Sequence, residues 1–164
     1  MKKILLFLSF VIIAAGCTQA QTPATGRVEH LVPYRILTTD STWATPAQLK
    51  KNKPVMLIYF SPDCSHCQRL MYELKPKMKE FSNMQIVMIT FAQYRAIKEF
   101  YKGFGLSAYH NITVGTEGYT YFVQRYYEIR TTPYVVFYDH NGKLIKYFDK
   151  QPNVDDLIAA AKKA

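Results

Sequence analysis

The strongest constraint in the chain is a junction. An apolar run without alternation, PVMLIYF (54–60), passes directly into SPDCSHCQR (61–69). A continuous apolar run suits a strand buried on both faces, as in the middle of an α/β sheet. Cys67, Leu70, Leu74, Met78 and Phe81 then recur at helical spacing, which predicts a helix with one buried stripe. Pro76 is expected to kink it. Cys64 therefore falls between strand and helix, and Cys67 one turn further in. Residues three apart on a helix are about 5–6 Å apart, close enough for a disulfide. Such a short ring adds little loop entropy. A pair that stabilises little but closes easily suits reversible redox cycling.

Position also bears on reactivity. Unpaired N–H groups and the positive end of a helix dipole favour a thiolate at Cys64. A protonated His66 would act in the same direction. Asp63 would oppose it, or would cap the helix instead. A metal site is the weaker reading, because structural zinc takes four ligands. His30, His110 and His140 form no second close pair with one another, so no metal is expected.

The first residues have the form of an export signal. MKKILLFLSFVIIAAGC combines basic Lys2 and Lys3, an apolar run and small residues before Cys17. The run is short for a membrane span, which takes about 20 residues. AAGC resembles a bacterial lipobox, with Ala14 where Leu is usual. This implies a signal over 1–16 and lipidation of Cys17. The alternative is a signal over 1–20, cut after Ala20. Residues 17–33 are polar, carry Thr, Gly and Pro, and read as a tether. The domain is expected over 34–164. Export implies an oxidising compartment on the periplasmic side, where disulfides persist.

Further along, YRILTT reads as a short strand and TPAQLKK as a helix start, with Thr45 capping and Pro46 in the first position. MQIVMIT (84–90) is a second buried strand. Tyr94, Ile97, Tyr101 and Phe104 mark a helix, and NITVG a brief extended piece. Tyr119, Phe122, Val123 and Tyr126 predict another helix with those side chains in the core. PYVVFYDHNGKLIKYF is a hairpin turning at Asn141-Gly142, and Asn153 caps a last helix carrying Leu157, Ile158 and Ala161 inward. The order is β-α-β-α-β-α-α-β-β-α, an α/β class chain with a mixed central sheet flanked by helices, a βαβ start and a ββα end.

The formal net charge is +9. Loss of the signal removes Lys2 and Lys3 and no acid, leaving +7. The lysines are scattered, and Lys75, Lys77 and Lys79 do not share a helix face. A solvated surface is the expectation, not a nucleic-acid site.

VMLIYFSPDCSHCQRL, followed much later by YEIRTTPYVVFYDHNGKLI, resembles the thioredoxin superfamily over residues 34–164, in its extracytoplasmic, tethered TlpA-like branch. The resemblance implies a thioredoxin-like fold and a thiol–disulfide oxidoreductase acting on exported protein disulfides, reductase-type, with no cofactor. Cys64 would be the attacking thiol and Cys67 the resolving thiol. Pro133 would be a cis-proline facing them, with Thr132 pairing to substrate backbone. An upstream dithiol would recharge a monomer held to the membrane through Cys17. Ile58 stands where the family often has a buried Asp. The competing readings are a non-catalytic thioredoxin-like binding module and a copper-handling protein using the two thiols.

Overall fold

The computed structural model describes residues 28–164. Cys17, both signal boundaries and the tether up to residue 27 lie outside the described residues. The strands are β1 (Ile36–Thr38), β2 (Trp43–Ala44), β3 (Val55–Tyr59), β4 (Gln85–Thr90), β5 (Ile112–Thr116), β6 (Tyr134–Tyr138) and β7 (Leu144–Phe148). The helices are α1 (Ser65–Leu74), α2 (Tyr94–Gly103), α3 (Phe122–Tyr126) and α4 (Val154–Ala161).

β3, β4 and β6 are the unalternating apolar runs, and they take central places. Their two faces must both be covered, and the sheet order β2-β1-β5-β4-β3-β6-β7 puts helices over one side and the N-terminal segment with α3 over the other. β3, β4 and β5 run parallel. β6 and β7 are antiparallel neighbours, as are β1 and β2, so the sheet is mixed. Successive residues of a strand point to opposite faces. Met56, Ile58 and Phe60 thus join Cys67, Leu70, Leu74, Phe100 and Leu157 beneath α1, α2 and α4. Val55, Leu57 and Tyr59 join Val32, Tyr34, Val123 and Tyr138 on the other face.

The stripe from Cys67 to Phe81 is buried throughout. Its last part is a 3-10 segment, Lys75–Phe81. Pro76 has no N–H to continue the α-helical ladder, so the pitch changes there while the apolar face is kept. The hairpin turns at Gly142 with φ 78°, and Asn153 caps α4 by accepting a hydrogen bond from the Asp156 N–H at 2.7 Å.

Four expectations change. TPAQLKK forms only a 3-10 turn, Pro46–Gln48, although Thr45 and Gln48 make the full capping box. NITVG is no brief appendage: β5 lies inside the sheet between β1 and β4. Tyr119 and Phe122 are 70% and 41% exposed, and Val123 alone of that foursome is fully buried, because α3 has only five residues and presents a narrow face. Finally, residues 28–33 are not free tether. Val28 and Val32 are buried, and the carbonyls of Val28 and His30 accept hydrogen bonds from Tyr138 Oη at 2.8 and 2.9 Å. The polar composition of 17–33 hides these two apolar anchors. Among the described residues, no helix is long and apolar enough to cross a membrane.

Candidate active site

The chain leaves β3, turns at Ser61–Cys64 and enters α1. The Cys64 N–H donates to the Ser61 carbonyl at 3.1 Å, and the Cys64 carbonyl accepts from the Gln68 N–H at 3.0 Å. Gln68 also donates from Nε2 to the Pro62 carbonyl at 2.8 Å, which ties the turn to the first helical turn. Cys64 itself is the N-cap residue, with extended backbone and no side-chain cap. Asp63 is exposed and is not the cap.

The Thr132–Pro133 peptide bond is cis. It precedes β6, the antiparallel partner of β3, and so reaches the same end of the sheet. The Cys64 thiol donates to the Thr132 carbonyl at 3.5 Å. Two side-chain contacts hold this end together. Thr131 Oγ1 donates to the Asp149 carbonyl at 2.7 Å. His66 Nδ1 donates to Gln151 Oε1 in the β7–α4 connection. Cys64, Cys67, His66, Thr132 and Pro133 are thus brought together around one corner of the fold.

The two thiols differ sharply. Partial burial opposes ionisation of Cys64, but the Cys67 N–H, the side chains of Thr132 and Cys67, and the His66 N–H outweigh it. The net effect holds the Cys64 thiol below its ordinary value. Residue 66 therefore acts on this sulfur through its amide, while its ring is engaged with Gln151. Cys67 is 1% exposed, and burial pushes its thiol up to about 12. The Ser61 backbone and Thr132 oppose that rise, and the neighbouring Cys64 adds to it. Ile58 lies in the same apolar cluster as Cys67, so the strand beneath the resolving sulfur carries no carboxylate at this position. Both thiols are free. Among the described residues, no group of three or more His, Cys, Asp or Glu side chains is arranged to hold a metal.

Sequence reasoning missed Gln151 and the Thr131–Asp149 clamp. Neither has a local signal: Thr131 meets Asp149 only through the pairing of β6 with β7, and Gln151 meets His66 only because the β7–α4 connection lies against α1.

Comparison with known proteins agrees with this architecture. The chain resembles a secreted disulfide oxidoreductase of Mycobacterium tuberculosis, itself homologous to E. coli DsbE, with TM-score 0.68 at 19% identity over 85% of this chain and 98% of that one. A thiol-disulfide oxidoreductase from Bacteroides fragilis gives TM-score 0.68 at 18% identity, over 82% and 98%. An exposed lipoprotein thioredoxin of Streptococcus pneumoniae gives 0.63 at 20%, over 81% and 100%. No curated protein matches the sequence. The sequence model of the thioredoxin-like domain matches residues 44–162, which include both cysteines and the cis-proline, and the chain belongs to that family.

Proposed function

We propose that the protein is an exported thiol–disulfide oxidoreductase that reduces disulfides of other exported proteins through Cys64 and Cys67. The observation that carries this reading is the division between the thiols. One sulfur is half-buried, has its thiol held below the ordinary value and contacts the Thr132 carbonyl before the cis-proline; the other is buried, with its thiol pushed up to about 12.

The exchange follows from that division. The Cys64 thiolate attacks one sulfur of a substrate disulfide. The substrate S–S bond breaks, a Cys64–substrate disulfide forms, and the second substrate sulfur leaves as a thiolate and takes a proton. Cys67 then attacks the Cys64 sulfur, and its proton passes to the substrate sulfur that this step releases. The substrate's first sulfur departs with the electron pair, leaving Cys64–Cys67 oxidised. Two electrons pass to the substrate, and an external dithiol restores the pair. The Thr132 backbone aligns the substrate strand across Pro133. His66 stands on the exposed first turn of α1 and Asp63 just before its N-cap, on either side of Cys64. The protein acts as a monomer without cofactor.

Replacing Cys67 by Ser stops the cycle after its first step. Cys67→Ser is expected to accumulate mixed disulfides on Cys64, seen as higher bands on non-reducing gels and absent from Cys64→Ser/Cys67→Ser. No adducts, together with a Cys64 that resists alkylation at neutral pH, would reject the reading. Equilibration with glutathione tests direction: a potential below about −200 mV supports a reductase, and one near −120 mV an oxidase.

The membrane attachment is a second part of the proposal. AAGC at 14–17 supports lipidation of Cys17, and the likeness to an exposed lipoprotein thioredoxin is in keeping with it. Labelled palmitate should enter the wild type and not Cys17→Ala. Equal labelling, or none in either, removes the anchor and leaves cleavage after Ala20.

A further inference from the structure

Lysines that lie apart in the sequence meet at the end of the sheet opposite the thiols. Lys50 and Lys53 precede β3, and His110 precedes β5. Because β3, β4 and β5 are parallel, their N-terminal ends share one edge, while Cys64 follows the C-terminal end of β3. α1 runs from Cys64 toward that far edge and delivers Lys75 and Lys79 there on the 3-10 segment.

These five side chains line one open cleft of about 690 Å³, and no Asp or Glu contributes to its wall. Among the described residues, none of the four lysines is ion-paired. The amides of the wall are already used. Gln85 Nε2 donates to the Lys50 carbonyl at 3.0 Å, and Asn111 Nδ2 to the Phe81 and Met84 carbonyls at 2.9 and 3.1 Å. They tie the cleft's segments together, and Lys50 and Lys79 are exposed while Lys53 and Lys75 are half-buried. Like charges held in one concavity repel one another and create a positive field that an external anion relieves.

We propose that this basic cleft docks on the phosphate headgroups of anionic lipid and holds the domain against a membrane with Cys64 facing away from it. The choice of lipid over other anions rests on the Cys17 tether proposed above. From Cys17 to Val28 the chain can span at most about 40 Å, so an anchored domain stays beside the bilayer. A lipid anchor holds the domain at high local concentration beside the headgroups, where a basic patch adds electrostatic attraction to anionic lipid. The cleft and the thiols occupy opposite ends of the parallel strands, so docking leaves the exchange site open to substrate.

The test uses the full chain carrying Cys17→Ser, so that no acyl chain contributes. Binding to phosphatidylglycerol–phosphatidylcholine vesicles is compared with binding to phosphatidylcholine alone by co-sedimentation. Apolar insertion of the N-terminus adds equally to both, and the excess on phosphatidylglycerol reads the electrostatic part. That excess should fall with salt. Lys75→Glu/Lys79→Glu should lower it by at least about 25-fold, given roughly fivefold per lysine near an anionic surface. Arg125→Glu/Lys146→Glu, the same charge change on α3 and β7, should lower it far less. No excess on phosphatidylglycerol, or equal loss in the two variants, overturns the proposal. So does displacement by inorganic phosphate at matched ionic strength, which would mark a free-phosphate site, or tighter binding to a short DNA duplex than to vesicles. Absence of palmitate label with the phosphatidylglycerol excess intact supports docking while removing the anchor; label without the excess overturns docking alone.

Discussion

The two faces of the sheet are built from different materials. The face under α1, α2 and α4 is filled by Met, Phe, Leu and Ile side chains around Cys67. The opposite face is rich in tyrosine, and three of its hydroxyls are used: Tyr127 and Tyr138 share a hydrogen bond of 2.9 Å, Tyr127 Oη accepts from the Val32 N–H at 2.9 Å, and Tyr59 Oη donates to Glu117 Oε1 at 2.7 Å. The apolar face keeps a reactive sulfur out of water and protonated. The hydroxylated face clasps a segment that has too little apolar surface to hold itself. Non-directional burial suffices for the first task, whereas the second calls for directional bonds to backbone groups.

Each prediction presses on that contrast, from large effects to small. Phe81, fully buried on the apolar face, should lose about 3–5 kcal/mol on Phe81→Ala, read by urea unfolding. A loss under about 1 kcal/mol would show that this face is not tightly packed.

Alkaline pH probes the same face through Cys67. The folded thiol sits at about 12, and the unfolded one at about 8.5. Between these values the folded state keeps a proton that the unfolded chain gives up. Stability of the reduced protein therefore falls as pH rises, by up to about 1.4 kcal/mol per unit. Cys64 has the opposite sign: its contribution is complete above the unfolded value and is lost as pH falls through its lowered folded value. Buried Tyr34, Tyr59, Tyr127, Tyr134 and Tyr138 are raised as well and add the same slope above about pH 10, so the stretch from about pH 8.5 to 10 reads Cys67, and Cys67→Ala should flatten the curve there. An unchanged slope would mean that the thiol is not held in an apolar site.

Two tyrosines on β6 sharpen the other side. Tyr138→Phe removes bonds to the Val28 and His30 carbonyls and to Tyr127. It should cost about 1–3 kcal/mol and speed amide exchange at Val32. Tyr134 is also buried, yet its hydroxyl has no partner among the described residues. Tyr134→Phe should be neutral or gain up to about 1 kcal/mol. Equal losses in the two variants would show that the hydrogen bonds do not set the faces apart.

What was legible in the sequence was local. The buried strands, the stripe from Cys67 to Phe81, the Gly142 turn and the Asn153 cap each depend on neighbours a few residues away. The placement of Cys64 at a helix start followed from the same junction. What escaped needed distant partners. Val28 and Val32 look like stray apolar residues in a polar stretch until Tyr138, far along the chain, supplies their neighbourhood. β5 is as long as β3 and β6 but carries Thr and Gly in place of a continuous apolar run, and gains its place only by pairing with β4 and β1. Ring spacing alone could not show that Tyr119 stands outside, because α3 begins after it. The lysines of 50–79 had no common helical face, and the edge that unites them is made by parallel strands.

The Tyr138 clasp has a mechanical consequence. Its hydroxyl grips the entering chain at the foot of β6, where Tyr138 pairs with Val55, and the cis peptide lies at that strand's other end. A tug on the amino-terminal end of the domain would load this hydroxyl first. Val28 also lines a cleft with Thr131, Tyr134 and Asp149, so a pull on the entering chain is felt at the clamp beside the cis peptide as well.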